Sequence, residues 1–264
     1  MCTLVTLRRP GNPWPLLLAA NRDEMLSRPW KAPARHWSDR ETTIGGLDQE
    51  AGGSWLGLND YGVVAGILNR TGALGPGKNK RSRGELVLEA LEHADASVAA
   101  KALSGIDGQS YRPFNLVVAD DRDAFWIAHR DDLNTTAVEI HKIPSGISML
   151  TAHDLNDQTS PRVRAYLAPF SESSPPDPDK NEWSEWQRLL ACRSYKGTDD
   201  PAEAMNIVTN FGFGTSSSSL IAIPSSLNTK KSAVWLFAEV SRDRPRYSRI
   251  SLDAGEAEPP LHEA

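Results

Sequence analysis

The first part of the chain consists of short apolar segments separated by turn residues and polar clusters. Residues 2–7 and 14–20 are β-favouring segments on either side of the turn Pro-Gly-Asn-Pro at 10–13, and this pattern predicts a β-hairpin. The polar segment Asn-Arg-Asp-Glu at 21–24 follows at the expected end of the second strand. Because a hairpin returns the end of its second strand to the start of the first, the sequence predicts that this segment lies beside Cys2.

After this hairpin, groups of strands alternate with helices. Ser82 and Glu85 have the spacing of a capping box and predict a helix up to residue 94, and Asp95 is expected to cap a second helix. Pro169 is expected to end a third helix that begins at residue 160. The remaining predictions are helices at 183–193 and 202–208, a loop at 28–39, and strands at 63–68, 114–119, 125–129, 138–143, 147–151, 215–223, 234–240 and 247–252.

This order of elements lacks the regular alternation of strand and helix that builds a doubly wound parallel sheet. It favours an α+β fold in which two mostly antiparallel sheets are packed between outer helices. The chain has 264 residues, of which 39% are hydrophobic and 24% charged. These values fit one domain, expected at 1–252, followed by a flexible acidic tail at 253–264.

Composition argues against several classes of partner. The formal net charge is −5, and the basic segment 78–83 is interpreted as a solvated loop before a helix, so nucleic acid is not expected. No apolar run approaches the length of a membrane span, and the N-terminus lacks the pattern of a signal peptide. The six histidines are scattered without the spacing of metal ligands, so no metal site is expected.

Two cysteines are present, Cys2 and Cys192, too few for a disulfide framework. A working thiol suits a reducing cytoplasm, which is the expected location. Removal of Met1 would place a thiol and a free α-amine on Cys2. An amine with a pKa of about 7.7–8.0 can take the proton of a thiol with a pKa of about 8.5, so Cys2 is a candidate nucleophile. The alternative for Cys2 is that a cysteine stands at this position by chance. Cys192 is interpreted as a structural thiol.

Several motifs in this order resemble those of the NRDE family, also called the transport-and-Golgi-organisation-2 family. The resemblance extends from residue 1 to about 240 and is carried by Met-Cys-Thr-Leu at 1–4, Asn-Arg-Asp-Glu at 21–24, Gly-Ser-Trp-Leu-Gly at 53–57, Asn-Arg-Thr at 69–71 and Ser-Arg-Gly at 82–84. This family resembles the N-terminal-nucleophile hydrolases. Among those enzymes, the penicillin V acylases and bile salt hydrolases have the most similar sequence pattern. The resemblance implies a four-layer αββα sandwich.

The same resemblance implies roles for individual residues. Cys2 attacks an amide carbonyl, Arg22 lowers the pKa of the thiol by its charge, and Asp23 orients the amine or the arginine. Asn69 donates a hydrogen bond to the oxyanion, an interaction worth roughly 3–4 kcal/mol in enzymes of this kind. The acylases also have a later asparagine and a late arginine that find no clear match in this sequence.

The other candidate substrate-binding residues are Asn21, Glu24, Trp55, Arg70 and His153, and each has a structural alternative. The segment 21–24 would otherwise be a turn with an internal salt bridge, and Trp55 either core or pocket wall. Asn69 could end a strand, and Arg70 could be a surface residue. His153 and Asp154 form either an acid–base couple or a turn. The serine run at 216–219 either binds an anion or packs as a strand against a helix.

Three functions are weighed on this basis. The leading hypothesis is a cofactor-free hydrolase that cleaves a non-peptide amide bond in a small molecule through a Cys2 thioester. The second is a binding protein for haem or another hydrophobic metabolite, because relatives in the resembled family are implicated in moving haem between compartments. The third is an acyltransferase, in which an amine replaces water in resolving the thioester.

Overall fold

The computed structural model describes residues 2–73, 75, 77–130, 137–194, 203–228, 230–240 and 245–253. Met1 and, from residue 254 onward, the expected tail lie outside the described residues. The helices are α1 (Gly84–Leu91), α2 (Ala96–Leu103), α3 (Pro161–Glu172) and α4 (Ser184–Leu190). The strands are β1 (Thr3–Arg8), β2 (Leu16–Met25), β3 (Trp30–Ala34), β4 (Thr43–Asp48), β5 (Leu56–Asn59), β6 (Val64–Asn69), β7 (Phe114–Ala119), β8 (Ala124–His129), β9 (Glu139–Lys142), β10 (Gly146–Leu150), β11 (Phe213–Ile223), β12 (Val234–Glu239) and β13 (Ser248–Arg249).

These strands form two antiparallel sheets. One has the order β10-β1-β2-β11-β12-β13, and the other runs β3-β4-β5-β6-β7-β8-β9. The first and second strands pair as the hairpin predicted, with Thr3 opposite Asn21 and Arg8 opposite Leu16. The ends of β1 and β2 that carry Cys2 and the polar segment therefore lie side by side.

Three apolar clusters define four layers. The central cluster lies between the two sheets and includes Leu4, Leu18, Leu56 and Val117. A second joins the outer face of the β1–β2 sheet to α3 and α4, and a third joins the outer face of the other sheet to α1 and α2. The α+β fold with an αββα arrangement, predicted from the order of the elements and from the family resemblance, is confirmed.

Local interactions explain where several elements begin. The Asp95 carboxylate accepts from the Val98 amide at 2.8 Å, which confirms the predicted cap of α2. The predicted capping box of α1 does not form, because Arg83 occupies the cap position and Glu85 accepts a hydrogen bond from the Tyr111 hydroxyl at 2.5 Å.

Three other predictions were wrong. The expected loop at 28–39 contains the edge strand β3. Pro169 lies inside α3, where packing of Phe170 on Trp186 holds the last turn in place. Residues 203–208 contain no α-helix, because the Asn206 amide donates to the Cys192 carbonyl and the Ile207 amide donates to the Thr215 hydroxyl.

Candidate active site

The start of β1 opens onto a cavity of about 640 Å³. Cys2 lines this cavity together with Arg22, Trp55 and Asn69. The Cys2 thiol is half-buried, and its Sγ lies 3.7 Å from the backbone carbonyl oxygen of Asp23, to which it donates. The strand end therefore presents a sulfur atom to a space large enough for a small organic molecule.

Alternation along β2 divides the polar segment between two faces, as strand geometry requires. Arg22 and Glu24 line the cavity with Cys2. Asn21 and Asp23 point to the opposite face and contact groups from the helical layer. Two of the four residues therefore face the cavity, and two hold the strand in place.

Asp23 forms a fully buried ion pair. Its carboxylate accepts from the Arg162 guanidinium at 2.8 Å and from the Thr215 hydroxyl at 2.6 Å. The same Arg162 nitrogen donates to the Thr3 hydroxyl at 2.6 Å. Arg162 from α3 therefore joins β1 to β2 directly behind Cys2.

Arg22 is held on the cavity face by an aromatic ring and a hydroxyl. Its guanidinium lies 4.6 Å from the centre of the Trp55 ring, and it donates to the Ser216 hydroxyl at 2.9 Å. The ring itself rests against Gly46, where an added Cβ would lie 2.2 Å from it. Trp55 therefore forms part of the cavity wall, and its ring holds the Arg22 guanidinium next to Cys2.

Burial and the positive charge of Arg22 act in opposite directions on the pKa of the Cys2 thiol. Burial raises its pKa, and the negative charge of Asp23 adds to that rise. The charge of Arg22 lowers the pKa of the thiol, as expected, but does not outweigh burial. Burial also lowers the pKa of Arg22 itself. A thiol in this setting needs a base close by to become a nucleophile near neutral pH.

Asn69 ends β6 and lines the cavity on the side opposite the hairpin, since β6 belongs to the other sheet. Asn21 is not among the residues that line this cavity. Its side-chain amide donates to the carbonyls of Leu190 and Met205 at 3.0 and 2.7 Å, and its oxygen accepts from the Ser218 hydroxyl at 2.5 Å. Glu24 lines the cavity and lies 4.0 Å from Arg28.

Arg70 and His153 lie apart from the residues described as lining this cavity. Arg70 donates to Asn115 at 2.6 Å and to Asp154 at 2.7 Å. Asp154 also accepts from Arg130 at 2.8 Å, so its carboxylate pairs with two arginines and is not the partner of His153. The structure does not bring these two candidates to Cys2.

Two of the family motifs meet at the cavity wall. An added Cβ on Gly53 would lie 2.5 Å from the carbonyl carbon of Gly84, so only glycine permits this approach of backbone to backbone. The Ser54 amide donates to the Gly84 carbonyl at 3.1 Å. This contact places the start of α1, and with it Arg83, on the rim of the cavity that contains Cys2.

Sequence reasoning missed Arg162, Thr215 and Arg83 as parts of this site. Arg162 had one available signal, since it is a charged residue in the first turn of a helix whose neighbours Val163 and Tyr166 are apolar and buried. Within the described ranges, no group of three or more His, Cys, Asp or Glu side chains is arranged to hold a metal ion.

Solved structures share this architecture. An N-acylethanolamine-hydrolyzing acid amidase orthologue from Caenorhabditis elegans superimposes with a TM-score of 0.61 over 91% of this chain and 100% of its own, at 15% identity. The C2A mutant of a conjugated bile acid hydrolase from Clostridium perfringens gives 0.53 over 97% and 95%, at 10% identity. These similarities show that the chain shares the four-layer fold of these two proteins.

The family is shown by sequence. The family model for Transport and Golgi organisation 2 matches residues 1–237, and the chain belongs to this family. The Transport and Golgi organization protein 2 homologs of Bos taurus and Homo sapiens are each 39% identical over 114 residues. The aligned segment covers 41% of this chain and 40% of each relative. Across the part of the chain that the structure describes, no helix combines the length and apolar character needed to cross a membrane.

Proposed function

We propose that this chain is an N-terminal-cysteine amidohydrolase that cleaves the C–N bond of a small-molecule amide and acts in the cytoplasm. The observation that carries the proposal is the position of Cys2 at the start of β1, facing a cavity beside Arg22 and Asn69. The first step is removal of Met1, which gives Cys2 a free α-amine. This amine supplies the base that the half-buried thiol requires.

The reaction then follows in two halves. The Cys2 sulfur adds to the amide carbonyl carbon while its proton passes to the α-amine. The C–N bond breaks, the leaving amine takes that proton, and the acyl group remains on sulfur as a thioester. Water then adds to the thioester carbonyl, the C–S bond breaks, and the carboxylic acid leaves as the thiol regains a proton.

The surrounding residues have separate roles in this scheme. Arg22 stabilises the thiolate by its charge, and Trp55 fixes the guanidinium in place. Asn69 donates to the oxyanion that forms on the carbonyl oxygen. Asp23 and Arg162 act behind the nucleophile as positioning residues, because they lock β1 to β2 without reaching the cavity.

The test uses protein purified without an N-terminal tag. Intact mass is expected to show loss of Met1 and, in a Cys192→Ser background, a single rapid alkylation by iodoacetamide at neutral pH. Incubation with a panel of N-acyl amides followed by hydroxylamine is expected to yield hydroxamates from the thioester. Cys192→Ser is the matched control, since it removes the other thiol and should leave the activity unchanged. Full activity in Cys2→Ala would exclude the mechanism.

The two other functions considered from the sequence predict different results in the same experiments. An acyltransferase would divert the thioester to an added amine in preference to water, and a partition assay measures this ratio. A haem carrier would shift the Soret band of haem on titration. Absence of any Soret shift with the unmodified protein would remove the haem alternative.

A further inference from the structure

The proposed nucleophile and the proposed oxyanion donor belong to different sheets. Cys2 precedes β1 of the six-stranded sheet, whereas Asn69 ends β6 of the seven-stranded sheet. Strand pairing within a sheet does not fix the distance between two sheets, so the separation of these side chains depends on contacts that cross the sandwich. An oxyanion donor must lie about 2.7–3.1 Å from the developing charge, which makes this separation important for catalysis.

Asn115 makes a contact of this kind. It lies in β7, which pairs with β6, and its side chain is fully excluded from solvent. Its side-chain nitrogen donates to the carbonyl oxygens of Thr151 at 2.9 Å and His153 at 2.7 Å. These two residues follow β10, the strand that pairs with β1. Asn115 therefore joins the neighbour of the strand that ends at Asn69 to the neighbour of the strand that follows Cys2.

The side-chain oxygen of Asn115 is occupied as well. It accepts from the Arg70 guanidinium at 2.6 Å and from the Trp126 indole nitrogen at 3.0 Å. A side-chain amide donates two hydrogen bonds and accepts two, so Asn115 uses its full capacity. The other residues of β7 are apolar. One buried polar group with all its partners in place favours a single arrangement of the elements around it.

The two residues after Asn69 repeat this connection between the sheets. The Arg70 guanidinium donates to the Asp154 carboxylate at 2.7 Å. The Thr71 backbone amide donates to the Ala152 carbonyl at 3.1 Å. The end of β6 is thus held against the chain that leaves β10 by side-chain and backbone bonds together.

We infer that Asn115 is a positioning residue, which holds Asn69 at the distance from the Cys2 sulfur that oxyanion stabilisation requires. The inference rests on the proposed function for the role of Asn69. Arg70, expected from the sequence to bind substrate, is then a second positioning residue. Misplacement of a catalytic group by about 1 Å can lower a rate about 10²-fold, so a hydrogen-bond network behind the donor is enough to affect activity.

The test compares two reagents that attack the same thiol. When the Cys2 sulfur adds to the carbonyl of p-nitrophenyl acetate, an oxyanion forms before p-nitrophenolate leaves and the acetyl group remains as a thioester. Iodoacetamide reacts by displacement of iodide, without an oxyanion. The ratio of the two rates therefore isolates oxyanion stabilisation, because the pKa and the access of the thiol affect both. Asn69→Ala is expected to lower this ratio about 10²-fold.

Both rates are measured in a Cys192→Ser background. Acylation is followed by the initial release of p-nitrophenolate above a Cys2→Ala blank, and alkylation by intact mass. Asn115→Asp keeps the accepting oxygen and replaces the donating nitrogen, and it is expected to lower the ratio about tenfold.

Asn59→Asp is the matched control. Asn59 is also buried, and its side-chain nitrogen donates to the carbonyls of Leu91 and His93, each at 2.8 Å. Its oxygen accepts from two backbone amides. It lies by the turn that enters β6, away from Asn69, so Asn59→Asp should leave the ratio at the wild-type value. Urea unfolding confirms that both variants are folded under the assay conditions.

A double variant shows whether Asn115 acts through Asn69. Asn115→Asp should cause no further loss of the ratio in the Asn69→Ala protein, because the group that it displaces is already absent. If Asn115→Asp fails to fold, Arg70→Gln carries the test and is also expected to lower the ratio. Its control is Arg35→Gln, which breaks the ion pair with Asp60.

An unchanged ratio in Asn69→Ala or in Asn115→Asp, an equal loss in Asn59→Asp, or a further loss in the double variant would each overturn the inference. Failure of the proposed function is a separate result. An activated ester acylates Cys2 even in a protein that cleaves no amide. Absence of amide cleavage together with the expected ratios would therefore remove the amidohydrolase proposal and leave the positioning role of Asn115.

Discussion

Arg162 and Asp23 form an ion pair 2.8 Å long in which both side chains are almost completely excluded from solvent. Removing one partner of a buried pair typically costs about 3–5 kcal/mol, because the other charge remains buried without compensation. We therefore expect Arg162→Met to lower the free energy of unfolding in urea by about this amount. The double variant with Asp23→Asn should recover part of the loss.

The control for this prediction is Arg188→Met. Arg188 pairs with Glu185 at 2.9 Å on the surface of α4, where a pair contributes about 0–1 kcal/mol. Equal losses in Arg162→Met and Arg188→Met would show that the buried pair has no special role in stability.

Arg22 is expected to set the pH at which Cys2 reacts. Its positive charge lowers the pKa of the thiol, so Arg22→Met should move the midpoint of iodoacetamide labelling to higher pH. A shift of one unit would make labelling at fixed pH about tenfold slower. The measurement is the labelling rate as a function of pH, in a Cys192→Ser background so that only Cys2 reports.

Two comparisons sharpen this experiment. Arg22→Lys keeps the charge and should retain most of the wild-type profile. Arg28→Met removes a neighbouring cation that three carboxylates already neutralise, and it should shift the midpoint less. A larger shift in Arg28→Met than in Arg22→Met would contradict the assigned role of Arg22.

Truncation of Asn69 is predicted to affect catalysis, whereas truncation of Asn21 is predicted to affect stability. Asn69→Ala should lower kcat about 10²–10³-fold with little change in KM, as expected for loss of an oxyanion donor. Asn21→Ala should lower stability by about 1–3 kcal/mol, because two buried carbonyls lose their donor. Kinetics and urea unfolding on both variants separate these outcomes, and a purely structural effect of Asn69→Ala would remove it from the mechanism.

Asp154 is expected to contribute a pH-dependent part of the stability. Burial alone raises the pKa of its carboxyl, but hydrogen bonds from Arg130 and Arg70 outweigh burial and hold the pKa below its usual range. A group with a lowered folded-state pKa stabilises the fold above its unfolded value of about 3.9 and loses that contribution as pH falls through the folded pKa.

Asp154→Asn should therefore lower Tm at pH 7 by about 2–4 °C at most, because a pair whose carboxylate is 41% exposed contributes about 0–1 kcal/mol after solvent screening. The difference from wild type should shrink as pH falls below about 3.9. Thermal unfolding across this range measures both, with Glu185→Gln as the control for a surface pair. A difference that stays constant with pH would show that the arginines do not act through the charge of Asp154.

The sequence was sufficient for the hairpin, because the two apolar segments and the turn at 10–13 are local properties. The family resemblance supplied the four layers, which the order of elements alone only suggested. The partner of Asp23 could not be predicted, since Arg162 lies 139 positions away and reaches it only when α3 packs on the sheet.

One irregularity in the sheet makes the length of the serine run matter more than its composition. The pairing of β11 with β2 shifts between Thr215 and Ser217, so that Ser216 is an extra residue and its hydroxyl bonds to Arg22 while Thr215 reaches Asp23. Deleting a single serine from the run would remove the extra residue and leave Leu220 paired with Ala19, but Arg22 would lose the hydroxyl that the bulge presents to it. Exchange of Ser217 or Ser219 for alanine would keep both the bulge and that hydroxyl, so the number of residues in the run positions the Arg22 side chain.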